Sequence, residues 1–321
     1  MKQILHNIFL ITTFSSFTTV ATAQQTVQYS LWRLNPFALS PAYAGLDESL
    51  SATAAFRKQW VNLPGSPTSV AINAHLPWYY AHGGAGISLE NDYIGAEQTI
   101  NAQLSYAYHQ RLSNDATISA GIGAGILQKT LDGSILKPAN QDSPDEYISL
   151  IKISAQSPVI QASIYYKNKN FNISTGFTQF SPTYLRYNTT PTTTIQLWNT
   201  YHAMIAYKFV LSDNLAIEPA LLVKSDPAQI QTDFSTFFYI QDNIFSGIAL
   251  RGYNKNSLDA ATISVGMRLN NNWTAAYSYD IGISPLSNAH QGSHELILKY
   301  NLNQKIGYPK PLKIIYNPRF W

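Results

Sequence analysis

The chain has 321 residues, with 21 Lys and Arg against 18 Asp and Glu, 12% charged residues, 21 Tyr and no Cys. A net charge of +3 without any Lys or Arg run excludes a nucleic-acid-binding class built on a basic patch. The missing cysteines exclude a disulfide framework, a thiolate metal site and a lipoprotein anchor. A charged share about half the usual one, at a mean hydropathy of −0.12, suits a wall that presents half its side chains to lipid and half to a lumen.

Residues 1–23 read as a secretory signal. Lys2 gives the positive start, Ile8 to Val20 the apolar centre, and Ala21-Thr-Ala23 the small-x-small cleavage pattern before Gln24. No later stretch is apolar for the length of a membrane helix, so an exported chain of this kind enters a membrane only as a closed barrel. Residues 24–48 do not alternate, and Asn35-Pro36 and Ser40-Pro41 break them repeatedly. Their apolar content (Leu31, Trp32, Leu34, Phe37, Leu39, Tyr43) predicts an ordered segment that docks on something.

From Ser49 the chain becomes a series of runs with a two-residue period, each about as long as a tilted membrane strand. Ile100, Ala102, Leu104, Tyr106 and Tyr108 oppose Asn101, Gln103, Ser105, Ala107 and His109. Ile118 to Ile126 oppose Ser119, Gly121, Gly123 and Gly125, while Ile195 to Phe209 and Ile263 to Leu269 alternate likewise. Fourteen runs begin near residues 49, 67, 83, 97, 116, 157, 170, 194, 214, 228, 243, 258, 271 and 292. The predicted fold is all-β: a transmembrane barrel of about fourteen antiparallel strands over 49–302, a non-strand segment before it, and a tail, 303–321. Turn-like links such as Leu112 to Asp115 and Asn270 to Asn272 alternate with longer links at 131–156, 181–193 and 283–291. Short periplasmic turns, long external loops and an even strand count put both termini on the periplasmic side.

Most apparent chemistry dissolves under this pattern. Ser293, His294 and Glu295 are consecutive in a strand, so their side chains alternate faces and form no relay, and no nucleophile elbow is present. Gly121-Ile-Gly-Ala-Gly125 lies inside a run and marks a place where something approaches the wall closely, rather than a phosphate cradle. No metal-ligand spacing links the seven His, so no catalytic residue, metal or cofactor is expected. Arg57, Asp92, Arg251, Arg268, Asp280, Glu295 and Lys299 are expected to face the lumen, where charges pair across a filled interior.

Several stretches together resemble one family. Gln28-Tyr-Ser-Leu-Trp-Arg-Leu-Asn-Pro-Phe-Ala-Leu-Ser-Pro-Ala-Tyr-Ala-Gly45 is similar to the N-terminal signature of PorP/SprF proteins, departing from it at Ser30-Leu-Trp-Arg33. Phe56-Arg-Lys-Gln-Trp60, Pro64-Gly-Ser-Pro-Thr68, Asn91-Asp-Tyr-Ile-Gly95 and Leu104-Ser-Tyr-Ala-Tyr108 resemble its next blocks. Tyr277-Ser-Tyr-Asp280, Gly292-Ser-His-Glu295 and Asn317-Pro-Arg-Phe-Trp321 resemble its last ones. The resemblance implies a non-enzymatic outer-membrane component of the type IX secretion and gliding machinery of Bacteroidetes-type Gram-negative bacteria. It also implies partners: a periplasmic ring lipoprotein and its ring protein, a peptidoglycan-binding periplasmic protein, and a cognate secreted adhesin or cargo with a type IX C-terminal domain. Outer-membrane lipid would surround the barrel. The partner-binding candidates are Gln28, Tyr29, Asn35, Pro36, Pro41, Tyr43, Gly45, Arg319, Phe320 and Trp321. The alternative function is a passive, porin-like channel for small solutes, since a barrel of about fourteen strands can enclose an aqueous path.

Overall fold

Alternation with a period of two gives strands whose one face is apolar and whose other face is polar or small, and such strands close into a ring with the apolar face outside. The computed structural model describes residues 27–135, 151–178, 183–187, 193–227, 229–241, 243–253 and 257–306. The predicted signal (1–23), part of the 131–156 loop, and most of the tail with Arg319, Phe320 and Trp321 lie outside the described residues.

The strands are β1 (Ser51–Lys58), β2 (Thr68–Trp78), β3 (Gly83–Ile94), β4 (Glu97–Arg111), β5 (Thr117–Asp132), β6 (Lys152–Lys167) and β7 (Phe171–Thr178). They continue with β8 (Thr183–Tyr187), β9 (Thr193–Leu197), β10 (Thr200–Tyr207), β11 (Phe209–Ser212), β12 (Leu215–Ser225) and β13 (Ile230–Ile240). The last four are β14 (Ile244–Tyr253), β15 (Ser257–Arg268), β16 (Trp273–Gly282) and β17 (Ser293–Asn301). Every barrel neighbour is antiparallel, and β1 pairs with β17 from Ser51↔Asn301 to Lys58↔His294, which closes the ring. β10 and β11 both pair with β12 and count as one wall strand interrupted at Lys208. The wall therefore has fourteen strands.

Ile72, Leu104, Ile122, Ile164, Ile263 and Leu296 project outward and are exposed, forming the apolar band a bilayer covers. Aromatic residues such as Trp78, Tyr108, Tyr207 and Trp273 stand exposed at the short-turn end, where amphipathic rings prefer the lipid-water boundary. Inward positions hold Thr53, Ser69, Asn73, Gln103, Ser163 and Ser264, and these are buried. A polar inner face screened from solvent means that the lumen is occupied.

The wall is uneven. β5 and β6 have 16 residues each, well beyond the roughly ten needed to cross a bilayer at a tilt. β7 and β10 have eight each, so the rim dips between them at the loop end. From the dip, β8 and β9 rise as a separate two-stranded hairpin whose Leu185 and Tyr187 pack on Ala155, Leu127 and Ile153 of the tall β5–β6 wall. The run expected to begin near 194 thus splits: 193–197 belong to this hairpin and 200–207 to the wall. Alternation alone could not separate them, because a hairpin packed on one face shows the same period as a membrane strand.

Candidate functional site

The lumen is filled by the chain's own residues 27–48. Proline sets the form of this segment. Pro36 and Pro41 each stand at the first position of a short helical turn, Pro36–Leu39 and Pro41–Tyr43, where a missing N–H costs nothing. The resulting compact zigzag is buried along its length: Leu31, Ala42 and Ala44 are fully so, and Trp32 and Phe37 nearly so. Trp32, Phe37 and Tyr43 pack on Ala107, Tyr165, Met204, Ala206, Ala220 and Leu222 of the wall. Leu31 packs on Ala55, Ala71, Phe237, Phe245 and Ile297. These inward apolar residues lie where the segment touches the lining.

Nearer the loop end the segment is held by charge. Ser30 N–H donates to Glu295 Oε2 at 2.6 Å and Leu31 N–H to Oε1 at 3.1 Å. The Ser30 hydroxyl donates to Asp280 at 2.8 Å and accepts from Arg57 at 3.0 Å and Arg251 at 3.2 Å. Arg57 also reaches Asp280 at 2.6 Å and Glu295 at 3.1 Å, while Arg251 Nε donates to Asp233 at 2.8 Å. Two guanidinium groups thus meet three carboxylates, and the two backbone N–H groups offset the surplus negative charge. Sheet register brings these groups together, because Arg57↔Glu295, Thr262↔Asp280 and Asp233↔Arg251 are direct cross-strand partners. Arg33 pairs with Glu218, which also accepts from Tyr239 at 2.8 Å.

Nearer the turn end the segment is held by close approach. A methyl group on Gly121 would sit 2.3 Å from the Ala42 nitrogen, and one on Gly84 would sit 2.1 Å from the Ala44 oxygen. Phe37 lies against Gly86, and its ring centroid is 5.0 Å from that of His75. Ser163 accepts from the Ser40 hydroxyl (2.8 Å) and from Ala42 N–H (3.0 Å), and Ser119 donates to Ala42 C=O at 2.7 Å. Gly45 turns the chain at φ +80° and donates to His75 Nδ1 at 3.1 Å. Asp47 then accepts from Tyr43 (2.6 Å) and Ser51 (2.7 Å), with Lys299 at 3.5 Å and Lys167 at 3.7 Å. Burial alone would raise the Asp47 carboxyl, but Lys299, Lys167 and His75 together hold it well below the usual carboxylate range.

The residues singled out from the sequence fall as follows. Gln28, Asn35, Pro41 and Tyr43 are buried within the lumen, with Tyr29, Pro36 and Gly45 beside them, rather than outside the barrel at its short-turn end. The apolar content of 24–48 signalled docking, but the surface docked upon is the inside of the same barrel. Arg57, Arg251, Asp280 and Glu295 meet in one network, and Lys299 joins Asp47 at the opposite end. Asp92 is apart from both, accepting from Ser69 at 2.5 Å, and Arg268 is exposed at the end of β15. Ser293 and Glu295 face inward, whereas His294 turns outward to Tyr277 at 2.5 Å, so the three form no relay. Sequence reasoning missed Ser30, Asp47, His75 and Asp233, whose partners lie up to 265 residues away. Among the described residues no group of three His, Asp or Glu could hold a metal ion.

The model of the family described as type IX secretion system membrane protein PorP/SprF matches residues 21–300. The chain belongs to this family. In this PorP/SprF protein the N-terminal signature Gln28–Gly45 is therefore the lumenal segment, and Phe56–Trp60 and Gly292–Glu295 supply side chains that bind it. No curated protein matches the chain. Similar solved structures include Omp33 of Acinetobacter baumannii, at 7% identity and a TM-score of 0.47, covering 79% of this chain and 97% of that one. The toluene transporter TbuX of Ralstonia pickettii is 8% identical at a TM-score of 0.47, covering 83% and 92%. The monoaromatic hydrocarbon channel CymD is 9% identical at 0.47, covering 86% and 92%. The PorP/SprF chain is an outer-membrane β-barrel of a secretion-system family.

Proposed function

We propose that this barrel is a non-enzymatic anchor of the type IX machinery. It holds periplasmic ring components at the outer membrane and supports export or surface attachment of a cognate secreted protein. The observation that carries this reading is the occupied lumen. A lumen occupied from Leu31 to Gly45 by the barrel's own chain favours an anchor over an open channel and leaves the two ends as working surfaces. The turn end, where Glu48 meets Arg111 and Lys305 just before the tail, is assigned to the periplasm. The tail residues Arg319, Phe320 and Trp321 then remain as partner-binding candidates.

Photo-crosslinkers at Lys305, Arg319 and Trp321 in native membranes test this reading, with Pro41 as the buried control. The tail sites are expected to capture periplasmic ring or peptidoglycan-binding proteins, and deletion of the gene is expected to abolish display of the cognate secreted protein. Capture of none, with secretion intact after deletion, overturns the proposal. Steady ion-selective conductance of the purified chain in planar bilayers would favour the passive channel instead.

A further inference from the structure

A cavity of about 110 Å³ remains between the lumenal segment and the wall, beneath the dip in the rim. It has room for roughly eight waters, or for one molecule of about eight heavy atoms. Its two sides differ. Leu31, Trp32, Phe37 and Leu39 make the segment side apolar, while the wall side presents hydrogen-bonding groups. Those groups form two rows fixed by register. Gln161, Thr178 and Thr200 are successive cross-strand partners on β6, β7 and β10, and Gly176, His202 and Lys224 are partners on β7, β10 and β12.

The second row is short of partners. His202 is only 8% exposed, yet among the described residues its Nε2 has no hydrogen-bond partner, and Gly176 leaves the space its imidazole occupies. Among the described residues, Lys224 Nζ makes one long bond, 3.4 Å to Val27 C=O. Two neighbouring donors with spare capacity, inside a closed wall, form a seat for an anionic group. Glu90 lines the same cavity and accepts from Tyr29 at 3.2 Å, so a second negative charge on the ligand would be repelled.

We propose that this chamber binds a small organic monocarboxylate with a compact apolar body. The carboxylate sits on Lys224 and His202, and the body lies against Trp32, Phe37 and Leu39. The site is independent of the anchoring role, because it needs no partner protein.

Titration calorimetry on the detergent-solubilised full chain tests it, with 4-methylpentanoate as the probe and 4-methylpentanamide as its uncharged isostere. Saturable binding of the acid and a tenfold or greater loss for the amide are expected. Lys224→Met should reduce acid binding at least tenfold, His202→Gln less, and Glu90→Gln should strengthen it. Equal binding of acid and amide, acid binding unchanged in Lys224→Met, or no saturable heat at all would overturn the proposal and leave a water-filled void. Should Lys224→Met fail to give the heat-modifiable gel mobility of a folded barrel, the acid-to-amide comparison and Glu90→Gln decide on the parent fold.

Discussion

The two halves of the lumenal segment are held in opposite ways. Around Ser30 the grip is ionic: four buried charged side chains from β1, β14, β16 and β17 converge on one hydroxyl and two N–H groups, and Asp233 of β13 backs Arg251. Around Ala42 the grip is steric: small residues on both sides let backbone approach backbone, with three serines and a histidine fixing the register. Close packing sets where a segment can lie, but many apolar sequences could fill the same trough. A buried charge network adds little net stability when complete, yet it severely penalises any occupant that leaves it incomplete. The steric half therefore positions the segment and the ionic half selects it.

This contrast can be broken from either side. The largest effect is expected from Arg57→Met, which strands Asp280 and Glu295 in the wall at a cost of about 3–5 kcal/mol. Thermal unfolding should fall accordingly, and trypsin should gain access to Arg33, which is buried in the parent. Adding Asp280→Asn should recover part of the loss, and strict additivity would show that the two groups are not coupled. Gly121→Val attacks the steric half and should cost about 1–3 kcal/mol. Residues 37–45 should leave their trough, seen as a conductance in planar bilayers that the parent lacks; a parent-like closed barrel would sink the steric account.

Acid tests the turn-end clamp. The folded Asp47 carboxyl lies below its ordinary value of 3.8, so its contribution is complete above that value and fades as pH falls through it toward the folded value. Parent stability should decline in that window more steeply than that of Asp47→Asn, and parallel pH profiles would refute the assignment. The smallest effect, about 1 kcal/mol, is expected for Ser40→Ala, which removes the bonds to Ser163 and Ser174; chemical denaturation reads it as a shift in midpoint.

Much of this architecture is legible in the residues, because lipid outside and a lumen inside impose one period on every wall strand. The facing of Ile100 to Tyr108, Ile263 to Met267, Asp280 and Glu295 follows from that period alone. Gly121-Ile-Gly-Ala-Gly125 marked a close approach, and Ala42 is what approaches Gly121. The identity of that approaching chain was not legible: proline and apolar content in 24–48 say that it docks, and nothing local says that it docks inside. Nor was the network, since Ser30 meets Asp280 only after the ring closes across 250 residues. Ser30-Leu-Trp-Arg33, where the chain departs from the PorP/SprF signature, is the stretch that engages these charges.

The closing seam of the barrel carries one more consequence. Ser30 and Leu31 bind β17 through Glu295, β16 through Asp280 and β1 through Arg57, so one short stretch clasps both sides of the junction between first and last strands. A half-folded sheet has no place to seat Ser30, and a seam without Ser30 leaves Asp280 and Glu295 short of donors. Insertion of the segment and closure of the ring are thus coupled, and the residues that precede the first strand serve as the proofreader of the last.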